Sequence, residues 1–432
     1  MITAILSIVS IFIAIMIGNI KRVNIGMLSI AFAFLIGFFL VELAPADIVV
    51  GWPLNLFFML LGITLLFGIA TVNGTLALMA KKAVEATMGK TKLIPPVFFL
   101  MAGILAALGA GNIAICVLLL PIAMTVASNH HISPLLMATM VIAGSNAGGL
   151  SPIAPTGIIA STLSSDQGLD LERSIFLKQI IGQSLLAIVL YFFFKGHRLK
   201  DDPAARKFAQ LFSVFKFSSK KRSVKDETFD EDTPSDAFNR EQIITLIVLH
   251  LVVIAIVFGG WHIGLTAFTG AAILFFMCPV KEKAVLESVP WSTIILVCGV
   301  SMLVNVSESA GGIDLLTRFL TRMMNEHTAA PIMALIGGTL SLVSSASGVV
   351  LPTLIPTVPG LVEETGGNAA QIIPAIVMGA HMVTNSPIST LGALAVASAG
   401  KNVNRVKLFN DLFIIAFAGL IFATVIVYLG IV

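Results

Sequence analysis

The sequence predicts an all-α polytopic membrane protein built from two inverted repeats, each with five spans, a re-entrant helical hairpin and one broken helix. Three observations predict it. Hydrophobic residues make up 57% of the chain and charged residues only 11%, with a mean hydropathy of +0.99, whereas a soluble globule carries about 25% charged residues. Apolar runs of spanning length recur from end to end. Finally, Ser151-Pro152-Ile153, which opens a stretch ending at Gly157, returns as Ser386-Pro387-Ile388 in a stretch ending at Gly392. Paired interruptions of hydrophobic segments in two halves point to a midplane binding site in a transporter.

In the first half, spans are expected near 2–20, 25–43, 54–72, 134–164 (interrupted) and 174–195. The first run lacks a basic leader and a small-residue cleavage site, so it is read as a span rather than a signal peptide. Residues 93–128 are apolar, but Gly109-Ala110-Gly111-Asn112 interrupts their middle. They are too long for one helix and too short for two full spans, which predicts a hairpin that enters and leaves on the same side. Such backbone survives at membrane depth only when buried in protein or lining a cavity. The fourth span carries Gly144-Ser145-Asn146-Ala147-Gly148-Gly149-Leu150-Ser151-Pro152. The expectation there is unwinding, with Gly144-xxx-Gly148 part of the break and not a helix-packing motif.

In the second half, spans recur near 242–258, 263–279, 292–307, 370–398 (interrupted) and 408–430, with a hairpin over 331–361 and its tip at Ser344-Ser345-Ala346-Ser347-Gly348. Asn24-Ile25-Gly26 aligns with His262-Ile263-Gly264, Pro53 and Gly62 with Pro290 and Gly299, and Pro121 with Pro356. The near-constant offset marks a structural repeat. The expected divisions are a scaffold part over 1–92, a transport part over 93–195, a linker over 196–240, a second scaffold part over 241–330 and a second transport part over 331–432. The linker mixes bases and acids and is read as a passive tether with an amphipathic helix near 203–217.

Orientation follows from the basic residues. Lys21, Arg22, Lys81, Lys82, Lys90, Lys92, Lys281, Lys283, Lys401, Arg405, Lys407 and the linker are expected inside. Glu42, Asp47, Asp166, Asp170, Glu172 and both termini are expected outside, with Arg173, Arg318 and Arg322 as exceptions. Cys116, Cys278 and Cys298 lie in apolar stretches without metal-ligand spacing and are read as packing residues. There is no nucleophile–base set and no phosphate loop, so an enzyme is not expected, and nothing in the composition calls for nucleic acid.

Four chain breaks converge in this scheme. Each exposes backbone N–H and C=O groups, and each restarted helix aims its positive end at the centre, where it suits an anion. The side chains at the breaks are neutral hydrogen-bonding groups: Asn112, Ser145, Asn146, Ser151 and Thr156 in one half; Ser345, Ser347, Asn385, Ser386, Ser389 and Thr390 in the other. No acid lies well inside a span, whereas an intramembrane acid usually marks a proton or cation relay. This favours anion transport coupled to sodium through neutral oxygens. His381, aligned with Asn146, is the one titratable group at a break and the alternative carrier of a proton. An uncoupled anion channel is a further alternative.

The stretch GSNAGGLSPIAPTG (144–157), with its partner TNSPISTLG (384–392), resembles the MatC-type malonate/dicarboxylate carriers and, more broadly, the divalent-anion/sodium symporters of the ion transporter superfamily. The resemblance implies a homodimer in the inner membrane of a prokaryote. It also implies an elevator mechanism, in which hairpins and broken helices carry a small dicarboxylate with sodium (Na+) across the bilayer. Carried over to this chain, Asn112, Ser145, Asn146, Ser151, Pro152, Thr156, Ser347, Gly348, His381, Asn385, Ser386, Pro387 and Thr390 would surround substrate. Gly111, Asn112, Leu150, Ser345, Ser347 and Asn385 would surround sodium. The hairpin tips depart from the symporters' Ser-Asn-Thr: the first keeps only the asparagine, and the second, Ala346-Ser347-Gly348, keeps neither asparagine nor threonine.

Overall fold

The computed structural model describes residues 1–85, 90–199, 238–400 and 403–432, and these form helices and turns without a strand. The expected helix at 203–217 lies outside the described residues. Before the linker, apart from single turns, run α1 (Ile2–Lys21), α2 (Ile25–Phe39), α3 (Pro45–Val50), α4 (Leu54–Val72), α5 (Thr75–Glu85), α6 (Ile94–Leu105), α7 (Asn112–Asn129), α8 (Pro134–Gly149), α9 (Pro155–Asp166) and α10 (Glu172–Phe193). After it run α11 (Arg240–Val257), α12 (Ile263–Met277), α13 (Glu282–Ser288), α14 (Trp291–Ser309), α15 (Gly312–Thr321), α16 (Ala329–Ser341), α17 (Ala346–Thr365, kinked), α18 (Ala369–Met382), α19 (Thr390–Ala397) and α20 (Arg405–Tyr428). The second set follows the first in order and character.

Local chemistry starts these helices where they start. Asn24 caps α2, Ser133 caps α8 ahead of Pro134, and Asn239 forms a capping box with Gln242 at α11. Each supplies an acceptor to an otherwise orphaned first-turn N–H. Among the described residues, seven helical stretches are long and apolar enough to cross a membrane, and five shorter apolar helices accompany them, so the chain is a multi-pass membrane protein. Both arms of the first hairpin are among the seven. Their junction is nevertheless buried, with Gly109 and Gly111 at positive φ of 118° and 79°, so the arms are not joined by a surface loop.

The helices of the two sets meet reciprocally. Helix α2 packs on α14 and α4 on α12; α6 packs on α8 and α16 on α18; α10 reaches α18 and α20 reaches α8. The crossings close on backbone. A Cβ at Gly299 would lie 2.3 Å from the Gly26 carbonyl oxygen, and one at Gly62 would lie 2.4 Å from that of Gly264. The polar contacts echo this pairing: Asn24 Nδ2 donates to Ser292 O (2.8 Å), and His262 Nε2 meets Asn55 Oδ1 (2.6 Å).

Two features differ from the sequence expectation. Helix α8 remains helical through Gly149 and breaks only from Leu150, so Gly144 and Gly148 are packing positions after all. They face the Phe99 and Gly103 carbonyls of α6. In lipid, helices associate by close van der Waals approach, and small residues permit it; the motif was used inside the chain, not for unwinding. The expectation also passed over α5 and α15. In α15 the signal was available: Ile313, Thr317 and Leu320 are buried at helical spacing while Asp314 and Arg318 face outward, an amphipathic pattern too short to span.

Candidate functional site

Both broken helices turn in the same way. After α8, Ser151 N–H donates to Gly148 O and Ala154 N–H to Ser151 O; after α18, Ser386 N–H donates to Val383 O and Ser389 N–H to Ser386 O. The proline after each serine keeps that serine out of the helical region, and Pro155 at the first turn of α9 restarts the first helix. Each serine side chain then ties its break to its own hairpin: Ser151 Oγ donates to Ala107 O (2.6 Å) and Ser386 Oγ to Leu342 O (3.2 Å). These carbonyls sit where the hairpin backbone leaves regular helix. Ser151→Ala and Ser386→Ala should therefore each cost about 1–3 kcal/mol by stranding a buried carbonyl. A lowered thermal midpoint of the purified variants checks this, with the larger drop expected for Ser151, whose bond is shorter.

Between the first hairpin tip, α4, α9 and the α13–α14 turn lies a cavity of about 440 Å³. Gly111, Asn112, Thr156 and Ser347 line it, so residues from both halves meet there. Leu60, Phe67, Ile113 and Ile294 give it apolar walls; Thr64, Thr71, Ser288 and Thr293 add hydroxyls. Among the lining residues only Glu287 is charged. It stands at the solvent-exposed rim, 4.0 Å from Lys283. The lining threonines and serine were missed in the sequence because they belong to unbroken helices and a turn remote from the motifs. Thr64 and Thr71 donate to carbonyls of their own helix (2.7 and 2.8 Å), which leaves their lone pairs free.

Behind the cavity wall runs a buried hydrogen-bond chain. Asn112 Oδ1 accepts from Ile113 N–H (3.0 Å) and Thr156 Oγ1 (3.3 Å), while Asn112 Nδ2 donates to Asn146 Oδ1 (3.0 Å). Asn146 Nδ2 donates to Thr384 Oγ1 (2.6 Å) and His381 O (3.2 Å). Ser145, fully buried, donates to Ile142 O (2.9 Å) and lies 3.1 Å from Cys116 Sγ. Ser345 Oγ accepts from Gly348 N–H (3.1 Å) and holds the second tip, where Gly348 packs on Leu296. Leu150 and Pro387 are buried at the breaks, Pro152 is half-buried, and Thr390 is exposed; none of these four lines the cavity. His381 Nδ1 is bonded to Val377 O (2.8 Å). His381 Nε2 and Asn385 Oδ1 are buried without a hydrogen-bond partner among the described residues. The structure thus brings Gly111, Asn112, Thr156 and Ser347 to one cavity, links Asn146 to it, and keeps Ser151, Asn385 and Ser386 within the packed breaks.

Residues 1–149 match the family described as dicarboxylate carrier protein MatC N-terminus, which is 149 of the 432 residues. The match supports the MatC-type resemblance over residues 1–149; of the break motifs it takes in 144–149 and none of 384–392. No curated protein matches the chain. Among solved structures, the fold is similar to that of Neisseria gonorrhoeae MtrF, reported as illuminating a class of antimetabolite efflux pumps. The TM-score is 0.56 at 12% identity, over 89% of this chain and 82% of that one. The likeness at that identity is one of fold. Both matches are to transport proteins, and neither is to an enzyme.

Proposed function

We propose that the chain, whose residues 1–149 match the MatC N-terminal family, is a secondary transporter importing a small dicarboxylate, malonate or a C4 acid, in symport with sodium. The chain is a transporter, not an enzyme. The observation that carries the reading is the cavity at the first hairpin tip, lined by neutral donors and acceptors apart from Glu287 at its exposed rim. A carboxylate there is held by hydroxyls and by N–H groups at the start of α7, where the helix dipole favours negative charge. A sodium ion is held by carboxamide, hydroxyl and carbonyl oxygens such as those of Asn112, Thr156 and the tip backbone. Ser151 and Ser386 spend their hydroxyl protons on hairpin carbonyls and Thr156 spends its own on Asn112 Oδ1, so the hydroxyl donor proposed first for substrate is Ser347, with the Asn112 carboxamide beside it and the Thr156 oxygen left for sodium.

The reciprocal packing of α2 with α14 and α4 with α12 supports two inverted repeats. Helix ends gather in keeping with the proposed orientation. Tyr191 Oη donates to Lys92 O and Gln242 Nε2 to Asn73 O at the basic end, while Lys178, Glu326, Asn368 and Tyr428 share a groove at the other. On this reading the cavity, rimmed by Glu287 and Pro290 beside Lys281 and Lys283, opens to the cytoplasm. The elevator motion would carry α6–α10 and α16–α20 against a dimeric scaffold of the remaining helices. A proton-coupled reading, with His381 as carrier, draws on its unpartnered Nε2.

Uptake of radiolabelled malonate and succinate into proteoliposomes tests both. Accumulation above equilibrium is expected under an inward sodium gradient and not under a matched potassium gradient at equal pH. Accumulation driven by a pH gradient alone, and lost in His381→Gln, would replace sodium by protons. Equilibration without accumulation would reduce the protein to a channel.

A further inference from the structure

We infer that Thr384, outside the cavity and on the other half of the chain, is a positioning residue that sets which face of the Asn112 carboxamide the cavity meets. This rests on the reading that sodium is held at Asn112. The His381 carbonyl can only accept, and Thr384 Oγ1 gives it its one proton (2.9 Å). Thr384 therefore offers Asn146 only lone pairs. The Asn146 group facing Thr384 and the His381 carbonyl must be its NH2, which donates to both (2.6 and 3.2 Å). Its oxygen is left to face Asn112, so Asn112 must turn its own NH2 toward Asn146 (3.0 Å). The Asn112 oxygen, which the Ile113 N–H also holds (3.0 Å), is thereby presented to Thr156, on the cavity side, so Thr384 reinforces an orientation that the local amide shares in setting.

A carboxamide is nearly symmetric in shape, and its orientation is decided by its hydrogen-bond network alone. Every member of this network is buried: Asn112, Asn146, His381 and Thr384 each belong to the polar interior. Asn146, His381 and Thr384 do not line the cavity, so water is not at hand to satisfy a flipped Asn146 amide. Without the Thr384 hydroxyl, Asn146 keeps only the longer bond to the His381 carbonyl, and the preference for oxygen toward the cavity weakens. A cation needs that oxygen; a carboxylate prefers the NH2. Loss of Thr384 should thus weaken sodium binding selectively, an effect that mere loosening of the fold would not produce.

The experiment is a sodium titration of thermal stabilisation of the purified full-length protein, with choline replacing sodium at constant ionic strength, since a ligand that binds the native state stabilises it by an amount that rises with the logarithm of its concentration over its Kd. Thr384→Val is expected to shift the half-maximal sodium concentration upward about tenfold, the equivalent of one net hydrogen bond. Thr384→Ser is expected to stay within about twofold of wild type, because it keeps the hydroxyl. Malonate or succinate stabilisation, measured at saturating sodium, should change less than the sodium response in both. Should the valine variant not insert, Thr384→Ala carries the same comparison against Thr384→Ser. A wild type that responds to sodium while Thr384→Val titrates identically overturns the inference and leaves the symport reading standing. So does a serine variant as impaired as valine. A wild type that accumulates substrate but shows no sodium response ends the sodium assignment and this inference with it.

Discussion

Asn112→Ala is expected to reduce sodium-driven uptake by at least about 100-fold, while the protein still inserts and elutes as a single species. The side chain lines the cavity and makes three hydrogen bonds at once, to Asn146, Thr156 and the Ile113 amide. Its loss removes a ligand oxygen and also unties the first hairpin tip from α8. Hydrogen bonds to charged groups contribute about 1.5–3 kcal/mol, and each 1.4 kcal/mol is a factor of about ten in affinity. The hairpin itself should persist, because its arms are held by apolar burial and not by the tip. Ile115, Cys116, Leu119 and Leu120 are fully buried on α7, as are Phe98 and Ala102 on α6. Uptake in proteoliposomes, normalised to inserted protein, reads the result; a well-inserted variant with wild-type uptake would remove Asn112 from the site.

The second large effect is structural. Gly148→Ala and Gly379→Ala should each prevent accumulation of folded protein or lower its thermal midpoint severely. A Cβ at Gly148 would lie 1.9 Å from the Gly103 carbonyl oxygen, and one at Gly379 would lie 1.9 Å from that of Ala334. The obstacles are backbone atoms, which move only if α6 parts from α8 or α16 from α18. Overpacking a core costs about 1–3 kcal/mol where side chains can yield, so a rigid clash should exceed the upper end, against a total stability of about 5–15 kcal/mol for an ordinary domain. Gly400→Ala is the control: no described atom lies within 4 Å of its added Cβ, and its φ is not positive. Variants at 148 and 379 as stable as that control would mean that the helices do not cross so closely.

The features legible in the sequence are those whose physics is local. Pro152 and Pro387 remove a backbone donor and disfavour helical backbone at the preceding serine, and the breaks lie where these residues stand. Gly109 and Gly111 adopt positive φ, which a glycine does at little cost, so the first hairpin tip was also readable. Gly144 and Gly148 were misread for the complementary reason. A glycine in a membrane helix either unwinds or packs, and the choice depends on what lies opposite. Here it is the backbone of α6 around Phe99 and Gly103.

Less of the site was legible. Asn112 and Thr156 flank breaks and could be named in advance; Thr64 and Thr293 sit in unbroken helices and the turn residue Ser288 carries no motif, so all three entered only because α4 and the α13–α14 turn close over the first tip. Ser151 and Ser386 have the chemistry to hold a carboxylate, yet their hydroxyls are committed to carbonyls 44 residues back. Which hydrogen-bond partner a hydroxyl takes is a matter of distances between remote segments, and no spacing along the chain encodes that.

Composition and helix breakers by themselves determined that this is a multi-pass helical protein, because an apolar solvent obliges each segment to satisfy its own backbone, and the period of the breaks led to the expectation of a repeated order of spans, hairpins and breaks. The tertiary structure alone decided that Gly111, Asn112, Thr156 and Ser347 share one cavity and that Asn146 and Thr384 join the two halves behind it. Close approach of helices and the direction of each hydrogen bond depend on packing across the whole chain, where a difference of one ångström decides whether a polar group meets a neighbour or the cavity.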